Sequence, residues 1–385
     1  MNRKILAVIV LCSIVGLLVG ACAAPAAPQP APTQAQPAPT QAQPAPTQAA
    51  KTQPAKEVKA CWVYSGVVND QGWVSAQEVG RKYIESKYPN VKTSYVESVP
   101  SGADAERVIR QFADQGCNII FTNSIQYSDA VEAVAAKFPN VTFEAYEGFN
   151  MKPNVRIHRV VDADSYYVAG ALAAKMSKSG SLGFVATFPV ADVVRIVDQF
   201  ELGAQSINPK ATTKVVWLNS WYDPPNEKDA AESLMAAGID VMAHVAASPT
   251  ILQATEAKGV LSMGANSQDA FNPKFGLGSA FYNWSAVYDN LVGSYLDGTW
   301  KPDDIWFGLK EGAVGLTKVR NAPPEMQTLV DKVTADIKSD KLNIWKGPIK
   351  DQKGVVKVPD GQVMTHAEMN AMDWLVEGVE GTTGK

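Results

Sequence analysis

The sequence predicts an α/β protein of two lobes, each a doubly wound parallel sheet, joined by strands that cross between them. Three observations carry this. From residue 58 onward, short β-prone runs alternate with amphipathic helical segments, and the rhythm is repeated in a second half. The strand ends run again and again into loops that mix aromatics, amides and carboxylates. Late short strands then bring the chain back after the second series. The opening stretch Cys61-Trp62-Val63-Tyr64-Ser65-Gly66-Val67-Val68-Asn69-Asp70-Gln71-Gly72-Trp73 shows the pattern: a strand, a tight polar loop, then a helix. In open parallel sheets, ligands bind where such loops leave the carboxyl ends of the strands.

In order, strands are expected at 58–67, 91–96, 118–122, 141–146 and 155–161, with helices at 75–87, 103–115 and 128–137 between them. The second half begins with a helix at 165–176, whose Ala169, Gly170, Ala171, Ala173 and Ala174 suit close packing. Strands follow at 181–187, 214–219, 241–245, 259–264 and 275–281, with helices at 191–204, 227–237, 250–258 and 285–296. Short strands at 306–308 and 313–316, a helix at 323–339 and a mostly irregular tail around 345–359 complete the chain. The lobes are expected to comprise 57–162 with 284–312, and 163–283 with 313–378.

Two N-terminal segments stand apart from this fold. Residues 1–21 read as a secretory signal: Arg3 and Lys4 precede an apolar core, and Gly20 and Ala21 precede Cys22. Leu18-Val19-Gly20-Ala21-Cys22 resembles the lipobox of bacterial lipoproteins, so Cys22 is the expected lipidation site. Residues 22–56 form a linker in which Gln-Pro-Ala-Pro-Thr-Gln-Ala occurs three times, from Gln29, Gln36 and Gln43. With almost no large apolar side chains, nothing in it offsets the entropy of ordering. It suits a semi-stiff spacer.

The net charge of −4 gives no basic stripe for nucleic acid, and hydrophobic residues at 46% suffice for real cores. A disulfide between Cys61 and Cys117 is open to an exported protein. Parallel neighbouring strands seldom present the required geometry, however, so two buried free thiols are expected. The three histidines, His158, His244 and His366, form no metal-ligand pair. No nucleophile elbow, phosphate loop or dinucleotide fingerprint is present. No enzyme activity, metal or cofactor is therefore expected.

At least five strand ends carry an aromatic, an amide or a carboxylate: Asn69, Asp70 and Trp73; Asn123 and Tyr127; Phe188; Trp221 and Asp223; Asn266 and Gln268. Such a set suits a flat heterocycle held between two lobes. Asp223, ahead of Pro224, equally suits a helix cap.

The chain resembles the basic membrane protein (PnrA-like) family of ABC-transporter substrate-binding lipoproteins over 58–378. The resemblance rests on Asn69-Asp70-Gln71-Gly72-Trp73, Phe188-Pro189-Val190-Ala191-Asp192-Val193-Val194 and Phe200-Glu201-Leu202-Gly203-Ala204. Trp221-Tyr222-Asp223-Pro224, Ala236-Ala237-Gly238-Ile239-Asp240-Val241 and Asn283-Trp284 complete it. It implies the type I periplasmic-binding-protein fold and a purine ligand, base or nucleoside, stacked between aromatic rings. It also implies ABC permease subunits as membrane partners, and a monomer is expected. The ligand residues expected on these grounds are Asn69, Asp70, Trp73, Ser124, Tyr127, Phe188, Trp221, Asp223, Asn266, Gln268 and Trp284. Two departures bear on the ligand. Where many nucleoside-binding members carry an Asp near Gln268 that grips ribose, this chain reads Gly264-Ala265-Asn266-Ser267-Gln268. Where they offer a lysine, it offers Trp284. Both point to a free purine base such as adenine. A nucleoside receptor, and a sensor signalling to a membrane partner, are the alternatives.

Overall fold

The structure, a computed structural model, describes residues 57–148, 150–266 and 271–384. The expected leader, linker and lipidation site at Cys22, as well as Gln268, lie outside the described residues.

Two large sheets organise the chain. The first contains β1 (Val58–Val63), β2 (Val91–Val96), β3 (Ile119–Thr122), β4 (Thr142–Tyr146), β5 (Val155–Val160) and, returning late, β11 (Asp304–Phe307). Its order is β11-β5-β4-β3-β1-β2, and every pairing is parallel. The helices α1 (Trp73–Lys87), α2 (Ala103–Asp114), α3 (Ser128–Ala135) and α8 (Trp284–Leu296) belong with it. Residues of β1 alternate between its faces, as the period of a strand requires. Trp62 stacks on Phe121 at 4.3 Å and meets Tyr288 of α8, whereas Cys61 and Val63 join the cluster under α2 and α3.

The second sheet has the order β12-β10-β9-β8-β6-β7-β15. Its strands are β6 (Ser181–Ala186), β7 (Thr212–Trp217), β8 (Val241–His244), β9 (Leu261–Gly264), β10 (Gly276–Tyr282), β12 (Val314–Leu316) and β15 (Val379–Glu380). All pair in parallel except β12, which returns antiparallel to β10. The helices of this half are α4 (Ala163–Met176), α5 (Ala191–Ile207), α6 (Pro224–Ala236), α7 (Thr250–Lys258) and α9 (Glu325–Lys338). The expected α/β architecture of two parallel-sheet bodies is therefore present, with one antiparallel edge.

The small residues of α4 are explained by its crossing with α5. An ideal Cβ on Gly170 would lie 1.9 Å from the carbonyl oxygen of Phe200, and one on Gly203 would lie 2.0 Å from that of Tyr167. Each glycine faces the backbone three residues before the other, so the helices touch backbone to backbone.

Three segments pass between the sheets, at Val161–Asp162, Asn283 and 308–313. Val161 N–H donates to Phe307 O at 2.7 Å, and Asn283 N–H to Ala313 O at 2.7 Å. Buried Asp162 accepts from Ala163 N–H at 2.9 Å and from the Tyr282 hydroxyl at 2.5 Å. The crossovers thus form one laced strip.

Two expectations need correction. Cys61 and Cys117 form a disulfide, with Cα atoms 6.2 Å apart. Cys117 lies ahead of β3 and outside its ladder, where its N–H donates to Phe112 O at 3.0 Å. The pairing register that discourages bridging between parallel strands therefore does not bind it. A closed loop with a sequence separation of 56 contributes about 4 kcal/mol in the chain-entropy picture. The tail is also more ordered than expected. β13 (Ile349–Lys350) and β14 (Val356–Val358) form a two-stranded sheet, α10 (His366–Asn370) carries a capping box from Thr365 and Glu368, and β15 extends the second sheet beside β7. Among the described residues, no helix is long and apolar enough to cross a membrane.

Candidate functional site: an aromatic cleft at the strand ends

The carboxyl ends of the two sheets face one another across the crossovers. The first loop enters this space because Asp70 anchors it. Its carboxylate accepts from Gly72 N–H (2.8 Å), Val74 N–H (3.0 Å) and Ser75 N–H (3.0 Å), which satisfies the open amides at the start of α1. Gly72 then lets the loop meet the other half of the protein: a Cβ there would lie 2.8 Å from Ala247 O, just beyond β8. Ala247 N–H in turn donates to Trp221 O at 3.2 Å.

Trp73, next in sequence, is the centre of an aromatic group. Its indole N–H donates to Asn123 O at 3.1 Å, which fixes the ring against the end of β3. Tyr146 at the end of β4, Tyr282 at the end of β10 and Trp284 at the start of α8 surround it, with ring centroids 5.0, 5.2 and 5.3 Å away, all edge to face. Tyr282 and Trp284 lie nearly parallel, at 24° and 6.3 Å. A second aromatic pair, Phe188 after β6 and Trp221 after β7, has ring centroids 5.1 Å apart. Trp221 is 54% exposed.

Three buried polar atoms without protein partners lie just past strand ends. The side chain of Asn123 accepts from Ser65 N–H at 2.9 Å, but its Nδ2 has no partner. Asn266, past β9 with φ +49°, keeps a buried Oδ1 without a partner. Thr187, past β6, has a buried hydroxyl in the same condition. Such groups are costly unless something meets them.

The acid-base character of the region is set by burial. Glu147 follows Tyr146 and is pushed up to about 7 by desolvation first and by the nearby Asp192 second. Asp162 is raised well above the carboxylate range for the same two reasons. His158, buried against Tyr146 and Trp284, is held neutral, lowered to about 3 by desolvation and by Arg156 and Arg159.

The expected site residues therefore divide. Trp73, Trp284 and Asn266 reach the cleft region, with Trp284 buried behind Trp73 and Tyr282. Phe188 and Trp221 pair with each other past β6 and β7 of the second sheet. Asn69 is exposed at the rim, and Ser124 caps a short 3-10 turn by accepting from Gln126 N–H at 3.5 Å. Tyr127 needs correction: that turn rotates it away from the cleft into the core under α2 and α3, where it is fully buried and its hydroxyl donates to Val99 O at 2.5 Å. Asp70 and Asp223 spend their carboxylates on helix starts; Asp223 accepts from Asn226 N–H at 3.2 Å and Asn226 Nδ2 at 2.7 Å. Sequence reasoning missed Tyr146 and Tyr282, the last residues of β4 and β10, both of which pack against Trp73.

Residues 57–353 match the family described as ABC transporter substrate-binding protein PnrA-like (Bmp). A purine-binding protein of Brucella abortus is 36% identical over 327 residues, covering 84% of this chain and 93% of that protein. The chain belongs to the PnrA-like family. It is thus a substrate-binding protein of the ABC-transporter class, not an enzyme. A Haloferax volcanii protein, provisionally named an ABC transporter glucose-binding protein, is 32% identical over 328 residues, covering 84% of this chain and 81% of its own. A solved ABC transporter solute-binding protein from Aeropyrum pernix K1 superimposes with a TM-score of 0.65 at 17% identity, over 82% of this chain and 96% of its own. That likeness places the fold with the periplasmic-binding proteins of type I. The C-terminal wrap from 354 onward lies beyond the match to the PnrA-like family.

Proposed function

We propose that the chain is an extracytoplasmic receptor of an ABC importer, tethered by lipid on Cys22, whose two lobes close on a free purine base of the adenine type. The observation that carries this reading is the cluster of Trp73, Tyr146 and Tyr282 at the strand ends, together with Asn123 after β3 and Asn266 after β9, each of which keeps a buried amide atom without a protein partner. Aromatic faces suit a flat heterocycle, and the free Nδ2 and Oδ1 suit an edge that offers both an acceptor and a donor. Leaving either amide atom unmet costs about 1–3 kcal/mol, which a matching ligand restores.

A base is favoured over a nucleoside because the carboxylates of Asp70 and Asp223 already accept at helix starts, Asp70 from three backbone amides and Asp223 from the backbone and side-chain amides of Asn226. Trp284, where the family resemblance leads one to expect a lysine for the sugar, offers no cation and is buried behind Trp73 and Tyr282 instead. The name of the Brucella abortus relative supports a purine. The name of the Haloferax volcanii relative makes a hexose the rival to exclude. The ligand drives closure only through contacts better made in the closed state, and an ABC permease is the partner that reads that state.

The test is thermal unfolding of ligand-stripped protein against adenine, guanine, hypoxanthine, adenosine, guanosine, glucose and amino acids. At about 100 times Kd, the true ligand adds roughly 2.7 kcal/mol and raises Tm by a few degrees. Adenine is expected to give the largest shift. A larger shift with nucleosides would leave the receptor reading in place and remove the base; a shift with glucose alone would remove the purine.

A further inference from the structure

The first loop meets the other half of the protein at Gly72. A Cβ built there would lie 2.8 Å from Ala247 O and 3.3 Å from both Cα and Cβ of Ala247; apart from its chain neighbours, these are the three nearest heavy atoms. Gly72 precedes α1 of the first half, whereas Ala247 follows β8 of the second sheet. The contact also stands well away from the crossovers. These leave the first sheet at β5 and the second at β10, and the strand orders put β1 beyond β4 and β3, and β8 beyond β9. With strands about 4.8 Å apart, that is roughly 14 Å across the first sheet and roughly 10 Å across the second. A rotation of about 20° about the crossovers moves a point about 14 Å away by roughly 5 Å, so the contact breaks when the halves part.

Both sides of the contact are fixed backbone. Asp70 accepts from Gly72 N–H at 2.8 Å, and Gly72 O accepts from the Ser75 hydroxyl at 3.0 Å and from Ala76 N–H at 3.1 Å. Across the contact, Ala247 N–H donates to Trp221 O at 3.2 Å. The next residue, buried Ser248, donates its hydroxyl to Glu227, whose other oxygen accepts from Asp223 N–H at 3.1 Å. The loops after β7 and β8 are thus tied into one block. A short path through this contact therefore joins two aromatic residues of different halves: Trp73, next after Gly72, and Trp221, whose carbonyl holds Ala247.

We propose that Gly72 and Ala247 form the contact on which the two halves close, and that the lack of a side chain at Gly72 sets how near the Trp73 and Trp221 loops come and so how long a bound ligand is kept. This rests on the receptor reading above and names the pair that limits its closure. In the closed protein, a methyl at position 72 overlaps a backbone oxygen that has no room to swing aside. Once the halves part, that methyl no longer meets Ala247, so the substitution acts on the closed state alone. A ligand that gains its contacts on closure then needs a state made rarer, and its apparent affinity falls by the same factor. The loss appears mainly in the dissociation rate, because the ligand enters the open form.

The experiment uses the full chain and has two arms. In the first, Gly72→Cys and Ala247→Cys are combined and the ligand-free protein is oxidised. The two Cβ positions lie 3.3 Å apart, close to the about 3.5–4.5 Å that a disulfide spans, so peptide mapping without reductant should find the bridge. Protein bridged while empty should then refuse adenine. In the second arm, Gly72→Ala should unfold at the wild-type urea midpoint yet bind adenine at least about tenfold more weakly, mostly through faster release. Gly66→Ala is the control, because its methyl would meet only Val74 of the same half, at 3.3 Å, and it should bind as wild type does. Absence of the bridge in folded protein would overturn the contact. Early unfolding of Gly72→Ala would overturn its restriction to the closed state, and wild-type adenine affinity in that variant would overturn its role in keeping the ligand. A bridge that forms in protein unable to bind any purine beforehand would overturn the base and leave the closing contact standing.

Discussion

Replacing Gly170 or Gly203 by alanine is expected to destabilise the protein by at least about 4 kcal/mol, a large fraction of the 5–15 kcal/mol that a folded domain typically has. Alanine is the better helix former by about 1 kcal/mol, so local propensity predicts a gain. Packing reverses the sign. At each position the new methyl would fall about 2 Å from a backbone carbonyl of the facing helix, Phe200 O or Tyr167 O. No rotamer moves a Cβ, and a backbone atom cannot swing aside, so α4 and α5 must separate. Both helices are buried along most of their length, and separating them opens the core of the second sheet's body. Gly293 of α8 is the internal control, because a Cβ there would lie 3.4 Å from the Tyr88 hydroxyl, the end of a flexible side chain. Urea unfolding of the three variants checks the claim: Gly293→Ala should match wild type within about 1 kcal/mol, and the other two should unfold early or fail to fold. Wild-type stability in Gly170→Ala would show that the helices do not touch as described.

The second large effect is expected on binding. Trp73→Ala should weaken the ligand by at least about 100-fold while leaving the protein folded. The ring supplies a stacking face worth about 1–3 kcal/mol per base in comparable aromatic platforms. Its indole N–H also holds Asn123 O at 3.1 Å, so truncation loosens the amide that is expected to meet the ligand. Trp73 is only partly buried, and its ring contacts to Tyr146 and Tyr282 are edge to face, so the cost in stability should stay within about 2 kcal/mol. Titration of the folded variant with adenine measures this. Trp73→Phe should recover most of the affinity, since it keeps a face and loses only the N–H. Unchanged binding in Trp73→Ala would move the ligand away from the first loop.

Much of this fold was readable from the chain because strands buried on both faces and helices with one apolar face have distinct periods. The small residues of α4 likewise announced close packing before any partner was visible. What escaped reading depends on partners distant in sequence. β13, β14 and β15 are two or three residues each, too short to carry a period, and exist through pairing with distant segments. The Cys61–Cys117 bridge depended on where β3 begins, two residues after Cys117.

At the site, residue type alone could not separate two uses of the same group. Asp70 and Asp223 have the chemistry of a ligand contact and of a helix cap, and the backbone amides claimed them. Tyr127 and Asn123 share one loop, but a single 3-10 turn sends the first into the core and leaves the second at the cleft. Tyr146 and Tyr282 sat at strand ends that looked ordinary, because an aromatic that is itself the last residue of a buried strand is indistinguishable in sequence from core.

The most direct test of the central claim is a crystal structure of the ligand-stripped protein soaked or co-crystallised with adenine. The base is expected against Trp73, between the ends of β3 and β9, with Asn123 Nδ2 and Asn266 Oδ1 within hydrogen-bond distance of its edge. Clear density for adenine elsewhere, or a cleft that stays empty of purine in protein shown to be folded, would contradict it.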